Sequence, residues 1–210
     1  MSSFAEMLTS SSAEPFYERA IHPEDCAILF GVPTDYAGFR RDLGAPNKDL
    51  VPNISPVWPV YRRDIVQPVE RLVATAAPLG VTMWHDVTLR ELSKAADGRR
   101  MVVILVSHWT EDRVELTDGL HAFVEVVEAV PETFDGFLDL LVCEPDNLAI
   151  SLRDFRPRCI VRFATRSKVK LAFWGGFFEA LFTSLHESPR PYMRAFNEVI
   201  QLFADQTDEQ

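Results

Sequence analysis

Six apolar residues in a row, Met101 to Val106, run directly into Ser107, His108 and Trp109. An unbroken apolar run of this length has the pattern of a strand buried on both faces. The same pattern recurs in "CAILFGVP" (Cys26 to Pro33), stopped by Gly31 and Pro33, and in "VTMWHDV", "FLDLLVC" and "CIVRFAT". Between these runs the apolar spacing lengthens to that of a helix. "DIVQPVERLVATAAPLG" carries Val66, Val69, Val73 and Ala76 on one face and ends at Gly80; "TLRELSKAADG" starts at a Thr88 cap and ends at Gly98. A turn or hairpin through "TEDRVELTDG" and a helix from about His121 to Val130 come next. "NLAISLRDF", capped by Asn147, then reads as helical, with two closing helices around Trp174–Leu185 and Tyr192–Phe203.

Short apolar strands alternating with helices predict an α/β protein, with a mostly parallel sheet sandwiched between helices. Residues 1–20, rich in serine, read as a flexible N-terminal extension; residues 21–205 read as a single domain and residues 206–210 as a polar tail. The stretch from Thr34 to about Tyr61, with prolines and repeated arginine, reads as a long irregular loop, of a length that is usually either functional or disordered. "LAFWGGFFEALF" is too short to cross a bilayer and reads as a core helix.

Composition narrows the function classes. No apolar run reaches the length of a membrane span, and "MSSFAEMLTSSSAEPF" lacks the basic and apolar regions of a signal peptide. The three cysteines, Cys26, Cys143 and Cys159, form no C-x-x-C pair, which points to a reducing, cytoplasmic location without a disulfide framework or zinc ribbon. A net charge of −10 opposes direct nucleic-acid binding. No two histidines have helical ligand spacing, and neither G-x-G-x-x-G nor a Walker A motif follows a strand, so no metal and no cofactor are expected. The cations are clustered nonetheless. Arg153, Arg156, Arg158, Arg162, Arg166, Lys168 and Lys170 face a single acid, Asp154, and pairs stand at Arg40-Arg41, Arg62-Arg63 and Arg99-Arg100. Such groups are either solvated faces or a local basic pocket for an acidic ligand.

In parallel sheets, ligands bind at the carboxyl ends of the strands. His108 and Cys143 both follow such ends, one crossover unit apart. On adjacent strands, about 4.8 Å from each other, their side chains would meet above the sheet edge. A cysteine is a strong nucleophile as thiolate, and a neighbouring histidine is the usual means of forming one; backbone amides beyond a strand end suit an oxyanion. On spacing alone, a buried cysteine and a hydrogen-bonded structural histidine remain the plainer reading. His85-Asp86, at the end of the second strand, would either orient such a base or cap the following helix.

The run "VVILVSHW…VELTDG…LDLLVCEP" resembles the His and Cys boxes of the caspase-like cysteine peptidases, in particular their CHAT branch. "VTMWHDVTLREL" is similar to the strand and helix that precede the His box. "FWGGFFEALFTSL…YMRAFNEV" resembles the closing helices, and "CAILFGVPTDYAGFRRDLGAPNKDL" the opening strand and its loop. The resemblance spans about residues 26–203 and rests on the order of the boxes. It implies a single caspase-like domain of bacterial type, acting as a cysteine endopeptidase on a protein substrate. His108 would be the general base, Cys143 the nucleophile, and the amides of Trp109 and Cys143 the oxyanion hole. An arginine of the early loop (Arg41 or Arg40) and one beyond the Cys strand (Arg162 or Arg166) would grip an acidic P1 side chain with bidentate guanidinium contacts. Leu141 stands where basic-P1 relatives carry an aspartate, in keeping with an acidic or an apolar P1. Trp109 replaces the glycine after the histidine, and Glu144-Pro145 replace small residues after the cysteine. These departures imply a latent enzyme switched on by a protein partner; the alternative is an inactive caspase-like interaction module.

Overall fold

The computed structural model describes residues 16–41, 55–98, 100–110, 113–141, 146–163 and 171–208. Strand β1 (Cys26–Phe30) opens a five-stranded sheet. The helical turns α1 (Tyr36–Phe39) and α2 (Trp58–Tyr61) lead through a wider π-type turn into α3 (Gln67–Ala76). Gly80 ends this segment at φ 103°, a left-handed conformation that glycine adopts without steric penalty. Strand β2 (Thr82–Trp84), helix α4 (Leu89–Asp97) and strand β3 (Val102–Val106) follow. A three-stranded antiparallel unit comes next: β4 (His108–Thr110), β5 (Arg113–Leu116) and β6 (Gly119–Ala122). Helix α5 (Phe123–Ala129), strand β7 (Phe137–Leu141), helix α6 (Asp146–Phe155) and strand β8 (Ile160–Phe163) complete the sheet, and α7 (Leu171–Glu187) and α8 (Tyr192–Asp208) close the chain.

The large sheet has the order β2-β1-β3-β7-β8, and all four pairings are parallel. Every residue of β1 and of β3 is buried, which explains the missing polar alternation in both runs. Right-handed crossovers then dictate where the helices go. The chain moves one way from β1 to β2 and the other way from β2 through β3 and β7 to β8, so α3 covers one face while α4, α5 and α6 cover the opposite one. Ala27, Leu29, Val103, Leu105, Leu138 and Leu140 pack under α4–α6. Cys26, Ile28, Phe30, Val102, Ile104, Val106 and Phe137 pack under α3, α7 and α8. The chain is thus an α/β protein with a parallel sheet sandwiched between helices.

Thr88 caps α4 by accepting from the Glu91 amide at 3.5 Å, and α8 extends past Phe203 to Asp208. The apolar "LAFWGGFFEALF" stretch is a core helix, with Trp174, Phe177, Phe178, Leu181 and Phe182 all buried. Among the described residues no helix is long and apolar enough to cross a membrane. Ile21 is fully buried and its amide donates to the Arg190 carbonyl at 3.0 Å, which ties the start of the domain to its last helices.

The expectation of an irregular stretch from Thr34 to about Tyr61 needs correction where the structure describes it. Both ends form helical turns, held by tilted ring contacts of Phe39 with Trp58 and Tyr61 (centroids 5.1 and 4.7 Å). Such pairs form across the chain and leave no periodic signature. Residues 42–54 lie outside the described part, as do residues 1–15 of the N-terminal extension.

Among the described residues, one acidic side chain enters the apolar interior. Asp139, in the middle of β7, is fully buried on the face covered by α7 and α8, where the Tyr192 hydroxyl donates to its Oδ2 at 2.9 Å. A buried carboxylate is tolerable only with such donors. Removing that hydroxyl in Tyr192→Phe should lower stability by about 1–3 kcal/mol, read as a reduced urea midpoint with an unchanged slope.

Candidate functional site

In an open parallel sheet the natural crevice lies where the strand order reverses, here between the carboxyl ends of β1 and β3. The antiparallel unit fills this crevice with the chain's own residues. Ser107 is 7% exposed, and its hydroxyl donates to the Glu115 carbonyl of β5, with the His108 carbonyl 3.2 Å away. Leu116 is 1% exposed, and the Thr117 amide donates to the Val87 carbonyl at 2.9 Å. Gly31, just after β1, is the position that allows this closure. A β-carbon there would sit 2.8 Å from Leu116 Cδ2, 3.1 Å from the Glu115 carbonyl oxygen and 3.3 Å from Ser107 Oγ.

His108 is the first residue past this lock. It opens β4, pairs with Glu115, and is exposed to solvent. On its other side β7 runs in step with β3: Val106 pairs with Leu141, and the Ser107 amide extends the ladder to the Leu141 carbonyl at 3.4 Å. Cys143, two residues beyond Leu141, lies outside the described residues together with Glu144, Pro145 and Arg166. What the structure supplies is therefore the two adjacent parallel strands that lead to His108 and to Cys143. Trp109 lies in β4, paired with Val114.

The arginine candidates divide. Arg40 lies over the Tyr36 ring, 6.0 Å from its centroid. Arg41, on the loop after β1, makes an ion pair with Asp86 at 3.9 Å; both side chains are more than half exposed, so the pair contributes little stability. Arg162 occupies the register position of Asp139, inside the sheet and not beyond its carboxyl edge. His85 stacks on Phe30 (5.3 Å between centroids, 23° between planes), and the cap of α4 belongs to Thr88. Asp86 holds φ 52°, a left-handed value in which only glycine, asparagine and aspartate are at all common. Its carboxylate is thereby aimed along the carboxyl edge toward Arg41. Residue periodicity has no means of showing that contact.

Two of the three thiols are core groups. Burial first, then the carboxylate of Asp25, raises the Cys26 pKa far above the usual thiol value. Burial pushes the Cys159 thiol up to about 12, against smaller opposing effects of a Leu138 backbone hydrogen bond and the Arg156 charge. Neither is a nucleophile near neutral pH. Among the described residues no cluster of three His, Cys, Asp or Glu side chains could hold a metal ion.

Fold and edge together define an open α/β protein whose switch-point crevice is sealed by a hairpin, leaving a His-bearing strand end exposed beside it. Compared with known proteins, the chain matches no family model and no curated sequence.

The Gly31 contact is testable. Gly31→Ala should cost about 1–3 kcal/mol through overpacking, because the Glu115 carbonyl is backbone and cannot rotate away. Denaturant unfolding would register the loss, and the His108 ring resonances should shift as the hairpin moves. The core thiols make a second test. Below pH 9.0, the ordinary thiol value, folded and unfolded chains both hold these protons. Above it the unfolded chain releases them and the native state does not, so stability falls with rising pH by up to about 1.4 kcal/mol per unit for each thiol. Urea unfolding at rising alkaline pH should show this slope, reduced by one thiol's share in Cys159→Ala.

Proposed function

We propose that the chain is a caspase-like cysteine endopeptidase of the CHAT type, acting in the cytoplasm on a protein substrate. The observation that carries the reading is the pairing of β3 with β7 in register at Val106 and Leu141. Two residues further along the chain from these partners stand two chemically competent side chains, His108 and Cys143. Backbones about 4.8 Å apart would let side chains beyond the two strand ends approach to the roughly 3 Å that proton transfer needs. The sealed crevice between β1 and β3 supports the same placement, because it leaves the edge between β3 and β7 as the ground for a cleft.

In this reading His108 takes the Cys143 proton, and the thiolate attacks the scissile carbonyl carbon. The amides of Trp109 and Cys143 stabilise the oxyanion; His108 then protonates the leaving amine as the carbon–nitrogen bond breaks. Water, deprotonated by His108, hydrolyses the thioester and returns the thiol. Arg41, reaching the same edge from the loop after β1, grips an acidic P1 side chain, and a substrate carboxylate exchanges with Asp86 on its guanidinium. Arg40, Arg162 and Arg166 are the further cations of the P1 reading. Trp109 and Glu144-Pro145, where relatives have small residues, support a latent state released by a protein partner.

Iodoacetamide at mildly acid pH distinguishes an activated thiol from the buried ones. Cys143 should label fast while Cys26 and Cys159 stay silent, and His108→Ala should slow that labelling specifically. Peptide-library cleavage should fall by about 10²–10⁴-fold in His108→Ala and vanish in Cys143→Ala, with preference for Asp or Glu at P1. Equal, slow labelling of all three cysteines with no cleavage would leave a non-catalytic interaction module.

A further inference from the structure

A histidine that moves protons works through both ring nitrogens, because the group bonded to one of them sets the tautomer and holds the plane of the ring. The His85-Asp86 pair does not fill this place for His108. His85 stacks on Phe30, and Asp86 faces Arg41 at 3.9 Å, so both are engaged elsewhere. Among the described residues no hydrogen bond or ion pair reaches the His108 ring. The residue placed to supply one is Glu115.

Three features of the antiparallel unit put it there. Glu115 of β5 stands directly opposite His108 of β4 in the ladder. Residues so paired project to the same face with β-carbons about 4.5–5.5 Å apart, and a change of glutamate rotamer spans what remains to an imidazole nitrogen. That face is the outward one. Val114 and Leu116, on either side of Glu115, are 0% and 1% exposed and belong to the core, whereas Arg113 and His108 are exposed. The main chain of Glu115 is also fixed. Its carbonyl accepts from the buried Ser107 hydroxyl, and a β-carbon on Gly31 would lie 3.1 Å from the same oxygen. The half-buried Glu115 is thus carried on a strand clamped to the ends of β1 and β3.

We propose that Glu115 is the positioning residue of His108: its carboxylate accepts the N–H of the imidazole nitrogen that does not face Cys143. It fixes the tautomer of the ring. When the other nitrogen takes the Cys143 proton, the carboxylate stabilises the imidazolium and stays ionised itself. The catalytic part of this inference rests on the peptidase reading; the contact between the two side chains does not.

The contact is read first, by nitrogen NMR of the isotopically labelled full chain carrying Cys143→Ala, with the His108 ring signals assigned by their loss in His108→Gln. The two ring nitrogens should report one dominant tautomer, and Glu115→Ala should move them toward the mixture of a free histidine. Activity is read in the chain with Cys143 intact. Glu115→Gln, which keeps the shape and removes the charge, should lower kcat for peptide cleavage by at least about tenfold. Iodoacetamide labelling of Cys143 should slow to match, with KM and the thermal midpoint unchanged. Glu115→Asp should recover part of the loss. Ring signals that are the same with and without Glu115 overturn the proposal. So does a Glu115→Gln chain whose KM rises at constant kcat, which makes the carboxylate a substrate contact. If no chain, with Glu115 or without it, cleaves peptide or labels fast at Cys143, the peptidase reading fails, and the ring signals alone decide for or against the contact.

Discussion

The centre of this molecule is a strand that has no solvent-facing side. β3 lies between β1 and β7, and its five residues are buried on both faces. A strand so placed forces helices onto both sides of the sheet, and the preference for right-handed crossovers assigns each helix to its face. It also forces the polar residues that follow it, Ser107 and His108, to the carboxyl edge. His108 is thereby exposed at that edge.

The edge is closed in one place and open in others. Gly31, Ser107 and Leu116 bring the antiparallel unit down onto the β1–β3 crevice, with contacts a single added methyl group would disturb. The hairpin backbone is thus a fixed wall, and His108 stands at its foot in the step from one sheet to the other. Its backbone pairs with Glu115 of β5, one residue after the Ser107 amide that extends the β3–β7 ladder. On the far side of β1, the aromatic turns of α1 and α2 make a second rigid surface, tied to Pro33 by the Tyr61 hydroxyl.

Charge follows the same geography. The chain is strongly acidic, yet Arg41, on the loop after β1, meets Asp86 in its left-handed conformation. An exposed pair of this kind is weakly held. The buried Asp139 is the opposite case. Fixed by Tyr192 beneath α8, it ties the last helix to the strand leading toward Cys143 and leaves no route for solvent to relax it.

Much of this architecture was legible in the residues. Unbroken apolar runs announce doubly buried strands, because a parallel strand covered on both sides has no position for a polar side chain. Helical spacing with Thr88 and Gly80 at the ends marks α4 and α3 for local reasons of capping and backbone freedom. The exposed position of His108 after β3 follows from the abrupt end of the apolar run. The stretch around Tyr36 and Trp58 was illegible, since its order comes from rings that meet across a gap in sequence and carry no period. So were the lock of Ser107 on Glu115 and the meeting of Arg41 with Asp86, each made between segments that are brought together by strand order alone. Local chemistry specifies elements because propensity and burial act over a few residues. Which strand ends become neighbours is set by pairing and handedness across the whole sheet, and the candidate site is defined only at that level.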